Sequence, residues 1–235
     1  MRILVGTSGY SYAPWKGVFY PEKLPAAQML AYYAGRLPAV EINNTFYRMP
    51  NPELLSRWAA ETPEGFVFVL KSPRRITHEL RLAQAADPVA RFATTASALG
   101  SKLGPVLFQL PPFLRKDVPR LSEFLAVLAA HAPGLKPAFE FRHASWFTDN
   151  VYAALRAAGA ALCVADSEDL ATPFEATAPW GYLRLRRQDY DNTAVQNWAR
   201  RIRAEKSWSD AFVFFKHEDE GRGPKLAAQL TDALR

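Results

Sequence analysis

Cysteine is nearly missing from this chain, whose 235 residues include one, Cys163. A lone cysteine excludes an intramolecular disulfide and fits a reducing compartment, most simply the cytoplasm. Histidine is scarce as well, at four. His78, His131, His143 and His217 fall in no HxH or HxxxH spacing, and there is no CxxC, so the usual zinc signatures are absent. Neither a GxxxxGK[ST] nor a GxGxxG loop occurs, so a phosphate would be held by side chains and by amides at the start of a helix. No apolar run is long enough to span a bilayer, and Met1-Arg-Ile-Leu-Val-Gly6 is too short for a secretory signal. A membrane partner and a preassembled nucleotide loop are thereby set aside.

What is present is core material. Apolar residues make up 49% and aromatics 13%, and no linker or composition break divides the chain, so one domain over residues 1–235 is expected. The formal charge of +6 favours anionic partners, either a small molecule or a nucleic acid. The basic run Trp198–Lys206 reads as a solvated helix face with Trp198 and Ile202 turned inward. Oligomeric state has no sequence signature here.

Strand and helix patterns alternate along the whole chain. Apolar runs at Ile3–Gly9, Ala39–Tyr47, Phe66–Lys71, Pro105–Leu110, Lys136–Arg142, Ala161–Asp166, Gly181–Arg186 and Ala211–Lys216 read as strands. Helical spacing follows at Leu24–Arg36, Pro52–Glu61, Pro88–Leu99, Leu121–Ala130, Val151–Ala158, Thr193–Lys206 and Pro224–Leu234. The segment Asp166–Pro179 has no helical period, so the sixth helix is expected to be irregular or missing. Eight strands of this kind predict an α/β fold, a single (β/α)8 TIM-type barrel; an open doubly wound sheet is the alternative.

Such barrels carry their sites at the C-terminal ends of the strands. Polar or charged residues stand at that end of nearly every strand: Thr7 and Ser8, Glu41 and Asn43, Lys71, Gln109, Glu140 and Arg142, Asp166, Arg184 and Arg186, Lys216. Burying a lone charge costs several kcal/mol unless it is paired, so these groups either pair across the mouth or face a ligand. Glu140 and Asp166 on neighbouring strands are the expected acid and base, with one pKa raised by repulsion, and Glu41 is a third carboxylate across the barrel. Arg142, Arg184, Lys71 and Lys216 would hold an anion, and Trp15, Tyr47 and Trp146 would stack on a ring. No cofactor is expected; a divalent metal held by Glu140, Asp166, His143 and His217 is a minor reading.

Several ordered motifs also carry a resemblance. Gly6-Thr-Ser-Gly-Tyr-Ser-Tyr12 with Trp15, Glu41-Ile-Asn-Asn-Thr-Phe-Tyr47, Lys71-Ser-Pro73 with Ile76-Thr-His78, Leu107-Phe-Gln-Leu-Pro-Pro112, Glu140-Phe-Arg-His143 with Ser145-Trp146, and Tyr182-Leu-Arg184 resemble the DUF72 (YecE-like) family. The resemblance implies a TIM-type barrel and a pocket formed by Trp15, Glu41, Asn43, Tyr47, Lys71, His78, Gln109, Glu140, Arg142, Trp146, Asp166 and Arg184. It implies no activity, because the family is defined by its unknown function. The chain departs from the Asn pair that closes the eighth strand in many members, having Lys216 and His217 there, which makes this corner more cationic.

The expected function is an enzyme, a hydrolase or lyase acting on a polar anionic small molecule such as a sugar phosphate or nucleotide fragment. Two alternatives stand beside it, a nucleic-acid-binding or processing protein and a non-catalytic ligand sensor or scaffold.

Overall fold

In the computed structural model, which describes all 235 residues, the eight apolar runs pair side by side into a closed parallel barrel. The strands are β1 (Arg2–Ser8), β2 (Ala39–Ile42), β3 (Val67–Lys71), β4 (Leu103–Gln109), β5 (Pro137–Glu140), β6 (Ala161–Asp166), β7 (Trp180–Leu185) and β8 (Asp210–Phe215). Closure comes from β1 against β8, in register from Arg2↔Asp210 to Thr7↔Phe215. The open-sheet alternative is therefore excluded.

Seven α-helices surround the barrel: α1 (Met29–Ala34), α2 (Pro52–Ala60), α3 (Ala86–Ala96), α4 (Val118–His131), α5 (Asp149–Ala157), α6 (Asn192–Ala204) and α7 (Arg222–Ala233). Side chains at the start of three of them accept from backbone amides: Asn51 from Glu53, Asp117 from Arg120, and Asp191 from Ala194. Such caps satisfy donors that a helix start leaves unpaired. The first helix is shorter than its spacing predicts, because Ala26–Gln28 forms a separate 3-10 turn.

No helix follows β6. Instead Thr177 ties the connecting strap to the barrel wall, its hydroxyl accepting from Leu162 N at 2.7 Å and donating to Ala160 O at 2.8 Å. Prolines at 173 and 179 remove amide donors that a helix there would use.

The two-residue alternation of side chains sorts the apolar residues into two cores. Leu4, Val69, Leu107, Ala138, Cys163, Tyr182 and Phe214 belong to the set that fills the barrel. Val5, Phe68, Phe108, Phe139, Leu183 and Val213 belong to the larger one between strands and helices. In that outer layer Phe139 stacks on Phe108, and Phe141 stacks on Trp146 with centroids 4.5 Å apart. Phe139 and Phe141 thus fix the outward face around β5, which obliges Glu140 to point into the barrel. No helix is long and apolar enough to cross a membrane.

Candidate functional site at the barrel mouth

Glu41 on β2 and Glu140 on β5 are fully buried and point into the barrel from opposite sides, and Arg184 on β7, 2% exposed, lies between them. Its Nη2 donates to Glu41 Oε1 at 2.8 Å and its Nη1 to Glu140 Oε2 at 2.5 Å. Glu41 also accepts from the Tyr182 hydroxyl at 2.6 Å, the Ser8 hydroxyl at 2.7 Å and Asn43 Nδ2 at 3.3 Å. The free oxygen of Glu140 accepts from Arg142 Nη1 at 2.8 Å, and Arg186 Nη1 stands 3.5 Å away.

These partners decide the protonation states. Burial alone pushes both carboxyls up; for Glu41 the Arg184 guanidinium and the Tyr182 and Ser8 hydroxyls more than offset it, and the carboxyl ends below its ordinary range. Glu140, facing Arg184, Arg186 and Arg142, is held at about 2. Both are therefore ionised at neutral pH and poorly suited to proton transfer.

The cations outnumber them. Arg142, Arg184, Arg186, Lys71 and Lys216 face Glu41 and Glu140, and Glu218 adds a third carboxylate beside Lys216. Burial, then repulsion from Arg184 and Arg186, brings Lys71 down to about 8 despite the two carboxylates. Lys216 is lowered by burial and by Arg186. The Nε and Nη1 of Arg186 are buried with no hydrogen-bond partner, although such groups are normally satisfied. Lys71 Nζ has neither an acceptor nor a carboxylate in reach; it lies 4.0 Å from the centroid of the Phe46 ring. His78 packs edge-on to the same ring and bonds to Thr77 Oγ1 through Nδ1 at 2.9 Å.

Several expected site residues lie elsewhere. Asp166 follows Ala165 at the end of β6, and since Ala161 and Cys163 fill the barrel the alternation turns Asp166 outward. There it accepts from Tyr190 at 2.8 Å and from Trp198 Nε1 of α6 at 3.2 Å. It forms no pair with Glu140, so the expected repulsion between the two is absent. Trp15 and Trp146 are completely buried and donate to the Glu218 and Leu114 carbonyls, which leaves neither ring a face for a ligand. His143 caps the turn Ala144–Trp146, accepting from Ser145 N. The four candidate metal ligands are not brought together, and no cluster of three His, Cys, Asp or Glu side chains has metal-holding geometry.

Gln109 is half-buried at the end of β4, in register with Glu140. Tyr47 is 80% exposed beside Phe46. His78 belongs to a wide π-helical turn, Arg75–Glu79, where a plain loop is expected. Sequence reasoning set Ser8 at a strand end without pairing it with Glu41, and gave Tyr182 and Phe46 no role in the site; the period that turns Arg184 inward also turns in Tyr182 two residues earlier. The large clefts, of about 660 and 740 Å³, are lined by loop and helix residues such as Asp189, Arg222 and Gln229 or Arg75, Asp87 and Arg91. The inward charges line neither of them.

Comparison with known proteins agrees with this arrangement of motifs. A family model described as "Protein of unknown function DUF72" matches residues 4–235. The chain belongs to the DUF72 family. Among DUF72 relatives, YecE of Escherichia coli K12 is 32% identical over 147 residues, 62% of this chain; the match spans only about half of that relative, 50%. A DUF72 protein of Thermotoga maritima superposes with a TM-score of 0.82 at 26% identity, covering 100% of this chain and 99% of its own. D-psicose 3-epimerase of Clostridium cellulolyticum, solved with D-tagatose, shares the barrel alone, with a TM-score of 0.54 at 11% identity over 100% and 97% of the two chains.

Proposed function

We propose that this DUF72 protein is an enzyme, of hydrolase or lyase type, that binds a polar anionic small molecule over the Glu41–Arg184–Glu140 bridge. One observation carries the reading: five inward cations face Glu41 and Glu140, both already bonded to Arg184, with only Glu218 added beside Lys216, while Arg186 has two buried donor atoms without a hydrogen-bond partner. A phosphate or carboxylate supplies both the missing acceptor and the missing charge. In this reading Arg184 is a strut that holds two carboxylates ionised. Arg142 and Arg186, braced by Glu140, present their guanidinium groups to the anion, with Lys71 and Lys216 as flanking charges.

Inorganic phosphate at low ionic strength tests the site. At one hundred times its dissociation constant a ligand stabilises the folded chain by about 2.7 kcal/mol, which raises Tm by roughly 5 to 10 °C for a domain of this size. Arg186→Met and Lys216→Met should fold normally and lose most of that shift. A wild-type protein that phosphate and sulfate leave unmoved sinks the proposal. Turnover of a panel of phosphorylated sugars and sugar acids separates an enzyme from a sensor, since binding without conversion of any compound favours the latter.

A second reading, nucleic-acid binding, is favoured by two exposed aromatics, Tyr47 and Phe113, the latter 5.2 Å from the Arg81 guanidinium. Bases stack on such surfaces. It requires an affinity that falls steeply with salt, and a gel-shift titration without binding at low salt removes it.

A further inference from the structure

Resting on the anion site above, we propose that Lys71 Nζ condenses with the carbonyl carbon of an anionic aldehyde or ketone, so that the substrate class is oxo acids or phosphorylated carbonyl compounds. Lys71 ends β3, and Val67 and Val69 before it fill the barrel interior, so its side chain follows them inward on the same face. Among the mouth cations it stands apart from Arg142 and Arg184, which bond to carboxylates. Its ammonium has no acceptor and rests against the Phe46 ring at 4.0 Å, a surface that shields it from water on one side.

The charged groups around it are Glu41 on β2, Glu140 on β5, Arg184 on β7 and Arg186 just past its end, and His78 on the turn that follows β3. The two carboxylates are engaged by Arg184, and the arginines keep their protons at any physiological pH. Repulsion among the cations is therefore relieved where a proton can leave, at Lys71, which is held at about 8. A desolvated lysine beside other cations is an activated amine nucleophile.

The step balances within the site. The Nζ lone pair forms a C–N bond while the carbonyl π pair moves to oxygen, which takes the proton that nitrogen loses. The resulting carbinolamine takes up one proton from solvent and loses water as the nitrogen lone pair forms C=N. The product is an iminium cation, so the charge count matches that of protonated Lys71. The anionic end of the substrate meanwhile meets Arg186 and Lys216.

Glyoxylate with cyanoborohydride tests the idea on the full chain, since hydride reduces the iminium to a stable secondary amine. Peptide mapping is expected to find one carboxymethyl group on Lys71, with a labelling rate that reaches half its maximum near pH 8. Glycolaldehyde, the neutral counterpart, should label Lys71 roughly tenfold more slowly, the effect of about 1.4 kcal/mol of attraction. Inorganic phosphate should suppress the glyoxylate reaction. Lys71→Arg should abolish the label while its circular dichroism and its cooperative unfolding stay as in the wild type, which shows that the variant folds.

Label spread over other lysines with Lys71 unmodified overturns the imine, and a Lys71 rate that climbs unchanged past pH 10 overturns its activation, while in either case the phosphate response keeps the anion site. Equal labelling by the charged and neutral aldehydes, with no phosphate response, overturns the anionic substrate class instead.

Discussion

Replacing Arg184 by Met keeps a straight apolar stem of similar reach and removes the one guanidinium that bridges the barrel. Glu41 then retains only hydroxyl and amide donors, whereas Glu140 still has Arg142 at 2.8 Å and Arg186 at 3.5 Å. Removing one partner of a buried ion pair costs about 3 to 5 kcal/mol, because the charge left behind is uncompensated. Glu140 is held at about 2 by Arg184, Arg186 and Arg142 together, and two of the three remain, so the loss falls mainly on Glu41. That loss lowers Tm by roughly 6 to 20 °C. The assay is urea unfolding of wild type and Arg184→Met across the acid range.

In the wild type the folded-state pKa of Glu140 is depressed, so its contribution is complete above about pH 4.5 and is lost as pH falls towards 2. In the variant Glu41 is buried without a guanidinium, burial raises its pKa, and acid relieves the strain by protonating it. The stability gap should therefore be widest at neutral pH and should narrow below about pH 5. The space left by the missing guanidinium does not titrate, so the narrowing isolates the electrostatic part. A gap under about 1 kcal/mol at neutral pH, or one that is flat from neutral to acid, refutes the bridge as described.

Three further outcomes follow from single contacts. Tyr182→Phe removes a buried 2.6 Å donor to Glu41 and should cost about 2 kcal/mol in denaturant unfolding; unchanged stability contradicts the contact. Asp166→Ala strips Tyr190 and Trp198 of their acceptor and should cost about 1 to 3 kcal/mol, while the Tm rise produced by phosphate stays as in wild type; a lost phosphate response would return Asp166 to the mouth. Gly6→Ala places a methyl 2.0 Å from the Ala39 carbonyl oxygen, on backbone that joins β1 to β2. It should lower Tm by several degrees, and a neutral effect means that the two strands separate freely.

The fold was legible because strands of a parallel barrel, apolar on both faces, read as continuous runs bounded by turn residues. The same property hides which face the last residue takes. Glu140 stands between Phe139 and Phe141, two rings that must face the helices, so its direction can be read. Asp166 ends a run of Ala, Leu, Cys and Val with no such marker, and the acid turns out to face Trp198 rather than the barrel. Trp15 and Trp146 mislead for another reason. An indole in a loop looks available for stacking, yet the area it buries and the N–H it can donate to a carbonyl favour a place beneath the loop. The aromatic stretch after β1 accordingly closes on itself, Trp15 packing against Tyr12, Phe19 and Tyr20.

The division of labour at the mouth follows from which charges can be satisfied within the chain. Glu41 and Glu140 have each oxygen bonded to Arg184, Arg142 or a hydroxyl, and both are held ionised at neutral pH, so neither is suited to taking a substrate proton. Arg184 has spent both terminal nitrogens on them and turns no fork towards a ligand. What remains is Arg186 with its unpartnered nitrogens, Lys216 at the end of β8, and Lys71 on the face of Phe46. Of these, Arg186 keeps its proton, whereas Lys71 is drawn down to about 8. In the proposed reading the carboxylates, which look like the chemistry in the sequence, hold guanidinium groups in place, and the exchangeable proton belongs to an amine.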